Sequence, residues 1–467
     1  MSRAAARPRA LLPLLPALLV LAVWLPALGA SFQFNDTALV TGPAPLRSLA
    51  AWWQAQPAPR PLATFSYAAN HALGSAPAGY RAVNIALHAC NAWLVFILLR
   101  RLARRLRVAD ESGAVLVAAT ATLIFALHPV QTESVTYVSG RPNLLLGSAV
   151  LLTMLCFTLR REERRPWWSQ LLAVVLMGIA LAANEAGLVM PAALWLLVSG
   201  ERRVSPRAAL LWVLPSLAAA LAALGFAATR APYAASLTAL LSPQRWGPAL
   251  VLKVHAISWL LGQLWRLDLL TADPALQVST QFGAGVALTA VAMLLVIALG
   301  FALLRTQPGV AFGILWFFLW LAPAGALHAG GAVANDAQLY LAILGPAWLV
   351  GLALLRIPQG LRDILPSVAI GCIAILATTL TIATLLRNSV YATPVTFWQD
   401  AALKAPQDAH AALELGIAHA RACEPLAARS ALERAAALAP EDPAPRADLR
   451  LLEQGGLPGV PDAAACR

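Results

Sequence analysis

Residues 126–145, which read ALHPVQTESVTYVSGRPNLL, form a polar stretch between two long apolar runs. A hairpin between two membrane spans needs only a few polar residues to turn the chain. This stretch instead carries four ionisable side chains, at His128, Glu133, Tyr137 and Arg141. Ionisable groups at the edge of a bilayer are costly, so they predict a functional site.

The composition places this polar stretch in an integral membrane protein. The chain is 60% hydrophobic and 12% charged, whereas soluble domains carry about 25% charged residues. Apolar windows of about 20 residues recur, and each is long enough to cross the hydrocarbon core as a helix. The sequence therefore predicts an all-α, polytopic bundle of transmembrane helices.

The arginines indicate which loops face the cytoplasm. Three clusters follow alternate apolar runs: Arg100, Arg101, Arg104, Arg105 and Arg107; Arg160, Arg161, Arg164 and Arg165; and Arg202, Arg203 and Arg207. Basic residues concentrate in cytoplasmic loops, so these clusters and the amino terminus are expected inside. The formal net charge of +12 then reflects membrane orientation, and no nucleic-acid partner is expected.

Two apolar runs allow more than one interpretation. The run 11–30 is either a signal peptide or a retained first span, and we expect the retained span. The run 246–270 contains Lys253, and we expect a re-entrant segment, because a full crossing would place Asp336 on the cytoplasmic side. The prediction is then eleven crossings, or about 11–12 spans, with an outer loop at 31–80. The other spans are 82–99, 113–128, 142–159, 167–183, 186–199, 208–227, 283–304, 309–326, one after Leu341, and 366–386.

Three polar residues share one face of the second span. Asn84, His88 and Asn91 have the helical spacing i, i+4, i+7. Polar side chains on one face of a membrane helix usually hydrogen-bond to neighbouring helices, and this role is expected here.

The carboxyl-terminal segment has the spacing of a tetratricopeptide repeat. Pro406 and Pro440 are 34 residues apart, and in a unit that starts at Ala409, Gly416 falls at position 8 and Ala428 at position 20. Such repeats place small residues where two helices cross and proline at the turn. An ordinary helical hairpin is the alternative. The predicted domains are a membrane domain at 1–387 and an extracytoplasmic repeat domain at 388–467.

Five motifs follow one another between about residues 20 and 455: FNDTALV; RPLATFSYAANHALG with GYRAVNIALHACNAWLVFILLRRL; ALHPVQTESVTYVSGRPNLL; NEAGLVMP; and NDAQLYL. Their order, followed by a repeat domain, resembles the transmembrane-and-tetratricopeptide-repeat family of O-mannosyltransferase-like proteins, including its bacterial members. The resemblance implies a GT-C-like bundle. It also implies inverting transfer of a mannose-like sugar from a polyprenyl-phosphate carrier to hydroxyl groups of an extracytoplasmic protein.

The resemblance assigns the catalytic roles to acidic and basic groups on the outer face. Asp36 is the expected base, since GT-C enzymes carry an acidic residue directly after the first span; a solvated loop aspartate or a helix cap is the alternative. His128 and Glu133 are expected to orient the acceptor or to hold a metal. The alternative is that His128 ends a helix and that Glu133 pairs with Arg141.

Five further residues are expected to bind substrate: Arg141, Glu185, Asp336, Lys253 and Arg81. An arginine such as Arg141 can hold the carrier phosphate with two hydrogen bonds, although a plain interfacial anchor is the alternative. The sequence departs from the family at three positions, where it has Asn35, Asn184 and Gln338. These departures remove an acid and two cations, and they favour an alternative function as a catalytically weakened membrane scaffold.

No cofactor is expected besides the lipid-linked sugar donor. A divalent metal stays open as an alternative, but a His–Glu pair supplies fewer than the three or more protein ligands that metal sites usually have. The expected partners are the donor, the membrane and an acceptor protein captured by the repeat domain. The composition, rich in alanine, arginine and proline, suggests a bacterial inner membrane, with the amino terminus cytoplasmic and the repeat domain periplasmic. A eukaryotic membrane with a luminal repeat domain is the alternative. A transporter is the weakest alternative, because the two halves show no internal repeat.

Overall fold

The computed structural model describes residues 14–41, 47–55, 60–163, 166–201, 204–229, 242–271, 281–323, 334–356 and 366–454, with the single positions 234 and 238. Within these residues the fold has 21 helices and no strand, so the predicted all-α class is confirmed. The first eleven helices are α1 Leu15–Trp24, α2 Asn35–Thr41, α3 Leu49–Gln54, α4 Pro61–Leu73, α5 Pro77–Arg105, α6 Glu111–Leu127, α7 Thr132–Val135, α8 Arg141–Glu163, α9 Pro166–Ala183, α10 Met190–Ser199 and α11 Pro206–Ala228. The others are α12 Pro243–Gly262, α13 Ala284–Leu303, α14 Pro308–Leu321, α15 Leu339–Ala342, α16 Leu344–Leu355, α17 Pro366–Val390, α18 Pro394–Lys404, α19 Ala409–Arg421, α20 Pro425–Leu438 and α21 Ala444–Glu453.

The apolar helices coincide with the predicted spans. Among the described residues, 5 helices are long and apolar enough to cross a membrane, and the number is up to 7 if two pairs bent by 50° each form one span. Four shorter apolar helices have 10–17 residues. The chain is therefore an integral membrane protein, while the number of crossings, the re-entrant segment and the GT-C likeness stay predictions.

The bend between α6 and α7 has a local cause in the sequence. His128 precedes proline and is extended, with φ −69° and ψ 129°, which stops the α-helix. Its Nδ1 accepts a hydrogen bond of 3.2 Å from the backbone of Val130 and so caps the following turn. Gly140 lies against the backbone carbonyl of Glu133, where a Cβ atom would clash. The polar stretch is thus folded tightly back on itself between α6 and α8.

Helix α5 lies at the centre of the bundle, in contact with α1, α6 and α8. Its polar face makes the expected bonds between helices. Asn91 donates to the Leu144 carbonyl and the Tyr340 hydroxyl, both at 2.9 Å, and His88 Nδ1 lies 3.0 Å from the same hydroxyl. Asn84 donates to the Val135 carbonyl at 3.2 Å. These bonds fix the polar stretch against the bundle.

The segment that follows α1 folds over the polar stretch as three helices. Ser48 caps α3, and Trp53 on this helix is 74% exposed. Helix α4 was not expected, and it packs through Tyr67, whose hydroxyl donates to the Val138 carbonyl at 2.9 Å. Residues 42–46 and 56–59 of this segment lie outside the described residues.

The last four helices form the carboxyl-terminal part. Helices α19 and α20 cross at Gly416, where an added Cβ would lie 2.6 Å from Cγ of Leu432. This is the close crossing that the spacing predicts, while the repeat assignment and the domain boundaries stay predictions. Helix α18 contributes Phe397 and Trp398 to a buried cluster that includes Tyr137 of the polar stretch. The carboxyl-terminal part therefore packs directly on the membrane part.

Candidate functional site

Asp36 lies at the start of α2 with its carboxylate buried. Its Oδ1 accepts from the backbone and hydroxyl of Ser139, both at 2.8 Å, and Oδ2 accepts from the backbone of Val138 at 3.2 Å. Burial raises the pKa of Asp36 above its ordinary value, whereas these hydrogen bonds and the charge of Arg81 oppose the rise. The carboxylate therefore holds the turn at 138–140 and is a stronger base than an ordinary aspartate.

Tyr137 lies between two carboxylates. Burial raises the pKa of its hydroxyl, and the nearby charges of Asp36 and Glu133 raise this pKa further. The hydroxyl also accepts a hydrogen bond of 3.2 Å from the backbone of Asn35. Asp36 and Glu133, which the sequence predicts as catalytic, thus belong to one continuous buried region.

Glu133 on α7 is buried and faces the end of the last membrane helix. Its Oε2 accepts a hydrogen bond of 2.6 Å from the hydroxyl of Tyr391. Burial raises the pKa of Tyr391, and the Glu133 carboxylate raises it further, while the charge of Arg387 opposes the rise. The expected alternative, an ion pair between Glu133 and Arg141, is replaced by this contact in the structure.

Two cations that sequence reasoning missed lie beside these groups. Arg387 is 5% exposed, and its Nη1 donates to Oδ2 of Asp400 at 2.7 Å. Lys404 Nζ lies 2.6 Å from Oδ1 of the same carboxylate. Burial lowers the pKa of Lys404, as does the charge of Arg387, while Asp400 and the Asp336 carboxylate oppose the fall. We call this group the Arg387 cluster; its members are Glu133, Asp336, Arg387, Tyr391, Asp400 and Lys404.

A signal for Arg387 is present in the sequence. The residue lies in the last turn of α17, a helix whose end is expected on the outer face. Arginine at an outer helix end departs from the positive-inside pattern, and an ionisable group within a span is a functional-site hypothesis by default. Sequence reasoning ended the span at residue 386 and did not weigh this exception.

Several atoms of the Arg387 cluster and its surroundings are buried and unpaired. Within the described residues, Nε and Nη2 of Arg387, Nδ2 of Asn388 and Oδ1 of Asp336 have no hydrogen-bond partner. Asn388 is held through its other amide atom, which accepts a hydrogen bond of 2.6 Å from the Thr136 hydroxyl. Most buried polar groups are paired in folded proteins, so such a concentration indicates a place for a bound molecule or water.

All the hydrogen-bond donors of Arg141 have acceptors within the protein. Its five N–H groups face Asn84 Oδ1 at 2.8 Å, the carbonyl and hydroxyl of Ser66 at 3.1 and 3.4 Å, Asn70 Oδ1 at 3.0 Å and the Tyr80 carbonyl at 2.9 Å. The side chain is also completely buried. In this arrangement Arg141 ties α4 and α5 to α8 and leaves no donor for the phosphate that it was predicted to bind.

Arg81 has a similar structural setting. It is completely buried and donates to the backbone carbonyls of Ala30, Ser31 and Thr136. Its charge also lies close enough to Asp36 to lower the pKa of that carboxyl. Arg81 therefore positions the predicted base indirectly, by holding residues 30 and 31, which precede it, and Thr136, which precedes its partner Ser139.

Glu185 and Lys253, also predicted to bind substrate, contact other segments. Glu185 accepts from Nε of Arg60 at 3.1 and 2.9 Å, which connects the start of α4 to the α9–α10 turn. Asn184 beside it donates to Oδ1 of Asn143 at 3.0 Å. Lys253 Nζ lies 3.4 Å from the carbonyl of Leu321, on the far end of α14.

His128, in the polar stretch, also lines an apolar cavity. Because Nδ1 accepts from Val130, Nε2 carries the proton and donates to the Leu264 carbonyl at 3.1 Å. The cavity has a volume of about 730 Å³, and its walls include His128, Trp265, Phe317 and Leu380. His128 thus anchors the region predicted to be re-entrant and is one of the few polar residues on a mainly apolar wall.

No metal site is found among the residues that the structure describes. In these ranges no three histidine, cysteine, aspartate or glutamate side chains are grouped so that they could hold a metal ion. The predicted roles of Asp36, His128 and Glu133 stay predictions, as do those of the five predicted substrate-binding residues.

Part of the chain is similar to proteins named as O-mannosyl-transferases. It is 34% identical over 130 residues to protein O-mannosyl-transferase Tmtc1 of Drosophila melanogaster, covering 28% of this chain and 14% of the fly protein. It is 31% identical over 148 residues to protein O-mannosyl-transferase TMTC4 of Homo sapiens, covering 28% of this chain and 19% of the human protein. For protein O-mannosyl-transferase F38B6.6 of Caenorhabditis elegans the identity is 28% over 183 residues, 36% of this chain and 25% of the worm protein.

The matching segment therefore spans at most a quarter of the length of these three relatives. No family profile matches the chain, and no solved structure matches it. The similarity supports the likeness to the transmembrane-and-tetratricopeptide-repeat proteins that the motifs indicate.

Proposed function

We propose that this protein is a membrane glycosyltransferase that moves a mannose-like sugar from a polyprenyl-phosphate carrier to hydroxyl groups of an extracytoplasmic protein. The observation that carries the proposal is the pairing of two features. Three buried carboxylates and a buried cation are gathered in one region, at Asp36, Glu133, Asp336 and Arg387, and an apolar cavity of about 730 Å³ begins at His128 in the polar stretch. The names of the relatives support the same class of reaction.

The reaction is an inverting displacement. The acceptor oxygen forms a bond to the anomeric carbon while the bond from that carbon to the phosphate oxygen breaks, and the electron pair leaves with the carrier phosphate. A carboxylate must take the proton of the acceptor hydroxyl. Asp36 is the proposed base, because an acceptor hydroxyl that displaced the half-buried Ser139 hydroxyl would donate to the same Oδ1 atom.

The cavity suits the lipid part of the donor. Its wall is formed mainly by apolar side chains from α12, α13, α14, α16 and α17. An isoprenoid chain in such a space would hold its phosphate near the polar stretch, because His128 marks the cavity wall at that end. Burial of a long apolar chain contributes about 0.8 kcal/mol per CH₂ group.

The proposed orientation places the amino terminus in the cytoplasm and the carboxyl-terminal helices in the periplasm of a bacterium. Cys423, two residues after the end of α19, is disulfide-bonded, and disulfides persist in oxidising compartments such as the periplasm. The arginine clusters on alternate loops support the same orientation. The repeat domain would then capture the acceptor protein on the side where the polar stretch lies.

The experiment that tests the proposal measures sugar transfer by the full chain in lipid nanodiscs. Decaprenyl-phosphate mannose is the donor, and a serine- and threonine-rich peptide is the acceptor. Asp36→Asn should lower the rate at least 100-fold, since loss of a general base costs about 10²–10⁴. Ser139→Ala is the matched control, because it also removes one hydrogen bond to Asp36 but leaves the carboxylate.

The outcomes distinguish the role of Asp36 as the base from the enzymatic function of the protein. Retention of activity by Asp36→Asn would exclude Asp36 as the base, although the enzyme proposal would stand. An absence of carrier turnover in the wild type, with mannosyl, glucosyl and galactosyl donors alike, would contradict the enzyme proposal itself. Similar losses in Asp36→Asn and Ser139→Ala would indicate a structural role for their contact.

A membrane scaffold is the second candidate function. The complete pairing of Arg141 and the backbone contacts of Arg81 favour it, because two predicted substrate-binding cations serve the fold. In that case the carboxyl-terminal helices would recruit periplasmic partners without turnover. A protein that captured partners equally well with and without the donor, and showed no transfer, would fit this candidate.

A further inference from the structure

The unpaired atoms near α17 form a specific pattern of donors and acceptors. The donors are Nε and Nη2 of Arg387 and Nδ2 of Asn388, and an acceptor is Oδ1 of Asp336. All three residues are more than nine-tenths buried. A buried polar atom without a partner is destabilising, and a charged one more so, which makes a ligand in this place favourable.

The guanidinium of Arg387 is fixed along one edge and open along the other. Nη1 donates to Asp400, and the guanidinium carbon lies 5.3 Å from the centre of the Tyr391 ring. These contacts leave Nε and Nη2, two parallel donors on the same edge of the plane. That edge has the spacing that binds two oxygens of a phosphate or carboxylate at once.

The second cation reaches the same place from the carboxyl-terminal part. Lys404 lies at the end of α18, and its ammonium is 2.6 Å from Asp400, the residue that also holds Arg387. Asp400 therefore orients two positive groups with a single carboxylate. Lys404 also donates to the carbonyl of Leu270, which lies three residues after Leu267 of the cavity wall.

The unpaired acceptor, Oδ1 of Asp336, favours a sugar phosphate over a bare anion as the ligand. Asp336 begins the turn at 336–338, which contacts α7, the helix that carries Glu133. Its unpaired Oδ1 can accept a hydrogen bond, which a phosphate without protons cannot donate. Sugar hydroxyl groups are donors, so an anion carrying hydroxyl groups beside it would satisfy both kinds of unpaired atom.

We propose that Arg387 binds the phosphate of the lipid-linked sugar and that Asp336 accepts a hydrogen bond from a hydroxyl group of its sugar. Lys404 and Asp400 are positioning residues in this site. The inference rests on the proposed function and adds to it that α18, the first helix after the membrane part, completes the donor site. The acceptor-binding domain and the donor phosphate would then share one element.

The test measures binding to the full chain in nanodiscs and needs no turnover. Three probes are compared by the shift of the thermal unfolding midpoint with ligand concentration: decaprenyl phosphate, decaprenol and decaprenyl-phosphate mannose. The wild type should bind decaprenyl phosphate at least tenfold more tightly than decaprenol. Arg387→Gln should remove that preference. Arg387→Lys should keep part of the preference, since lysine keeps the positive charge but lacks the two parallel N–H donors of arginine.

The sugar contact has its own readout. Asp336→Ala, which removes the acceptor, should remove the additional affinity for decaprenyl-phosphate mannose over decaprenyl phosphate while the phosphate preference remains. Mannose 1-phosphate is the fourth probe, and it shows whether the head group binds without its lipid. Arg429→Gln is the matched control, because Arg429 is an exposed arginine of the carboxyl-terminal part that pairs with Glu433, and it should bind all probes as the wild type does.

Three results would overturn the inference. One is a wild type that binds decaprenyl phosphate and decaprenol equally, which would mean that water alone fills the unpaired site. Another is unchanged phosphate preference in Arg387→Gln. The third is an equal loss in Arg429→Gln, which would indicate a general effect of surface charge. Phosphate-specific binding without sugar transfer would instead support the site and contradict only the proposed enzymatic function.

Discussion

The hydroxyl of Tyr391 donates a 2.6 Å hydrogen bond to the carboxylate of Glu133, across 258 positions of the chain. A second bond of the same length joins Thr136 and Asn388, three positions after Glu133 in one segment and three positions before Tyr391 in the other. These contacts connect the polar stretch after α6 with the junction between α17 and α18. The candidate site is therefore closed by two distant segments, and its geometry depends on how the carboxyl-terminal part is attached.

Tyr391→Phe should destabilise the fold by about 1.5–3 kcal/mol, the range for hydrogen bonds to charged groups. The ring stays in the buried cluster with Phe397, so the loss reports the hydroxyl alone. Chemical denaturation of the purified protein measures the effect. Glu133→Gln and the double variant complete a mutant cycle, in which a coupling energy near zero would show that the two groups contribute independently.

The pH dependence of stability should reveal the buried carboxyl of Asp36. Burial raises its folded-state pKa above the ordinary value of 3.8, so its favourable contribution is complete below pH 3.8 and is lost as the pH rises through the raised value. The stability of the wild type minus that of Asp36→Asn should therefore fall with rising pH and then level off. This difference is measured from the unfolding midpoints of both proteins in steps from about pH 3.5 to 8, the range over which carboxyl groups with raised pKa values titrate. A difference that rises with pH would mean that the hydrogen bonds from Ser139 outweigh burial.

Arg141→Lys should cost about 3 kcal/mol or more, because a lysine cannot replace five directed donors in a closed site. Asn70, Asn84 and the Tyr80 carbonyl would lose their partners together. The same exchange at the exposed Arg429 should change stability by less than about 0.5 kcal/mol. A folded Arg141→Lys variant with normal stability but weakened binding of decaprenyl phosphate would support the original prediction that Arg141 holds the carrier phosphate.

Periodic patterns could be interpreted from the sequence, since they depend on local spacing. The apolar runs gave the positions of the membrane helices, and the spacing of Asn84, His88 and Asn91 predicted their bonds between helices. The stop before Pro129 also followed from local sterics. These features need only residues within a turn or two of each other.

The partners of charged residues could not be read in this way. Arg141 has the residue type and position expected of a phosphate ligand, but its acceptors come from residues that are 57–75 positions away. Arg387 is a candidate for ligand binding because it lies with Glu133 and Asp336 around Tyr391, and both of these residues are far from it in the sequence. Which arginine is satisfied and which stays open is decided by tertiary contacts that no local pattern contains.

Gly416→Ala should destabilise the carboxyl-terminal helices by about 1–3 kcal/mol, the cost of overpacking a closed contact. The added methyl group would lie 2.6 Å from Cγ of Leu432 in the facing helix. Gly371→Ala is the control, because nothing lies within 4 Å of its added carbon and alanine favours a helix. Limited proteolysis of the 409–438 helix pair measures the loss, and equal protection in both variants would contradict the close crossing.

Ala292→Trp should narrow the apolar cavity from the exposed face of α13, where a larger side chain does not disturb the packed core. If the isoprenoid chain occupies this space, the affinity for decaprenyl phosphate should fall about tenfold, because each CH₂ group displaced from an apolar site costs about 0.8 kcal/mol. The affinity for farnesyl phosphate should fall less, since its shorter chain needs less room. Leu299→Trp, an exposed position on the same helix outside the cavity wall, is the control for the added indole. Because no member of the Arg387 cluster lines this cavity, the preference for phosphate over alcohol should persist in both variants. Equal binding of long and short carriers by Ala292→Trp and the wild type would place the lipid elsewhere on the protein, even if the phosphate is held by Arg387.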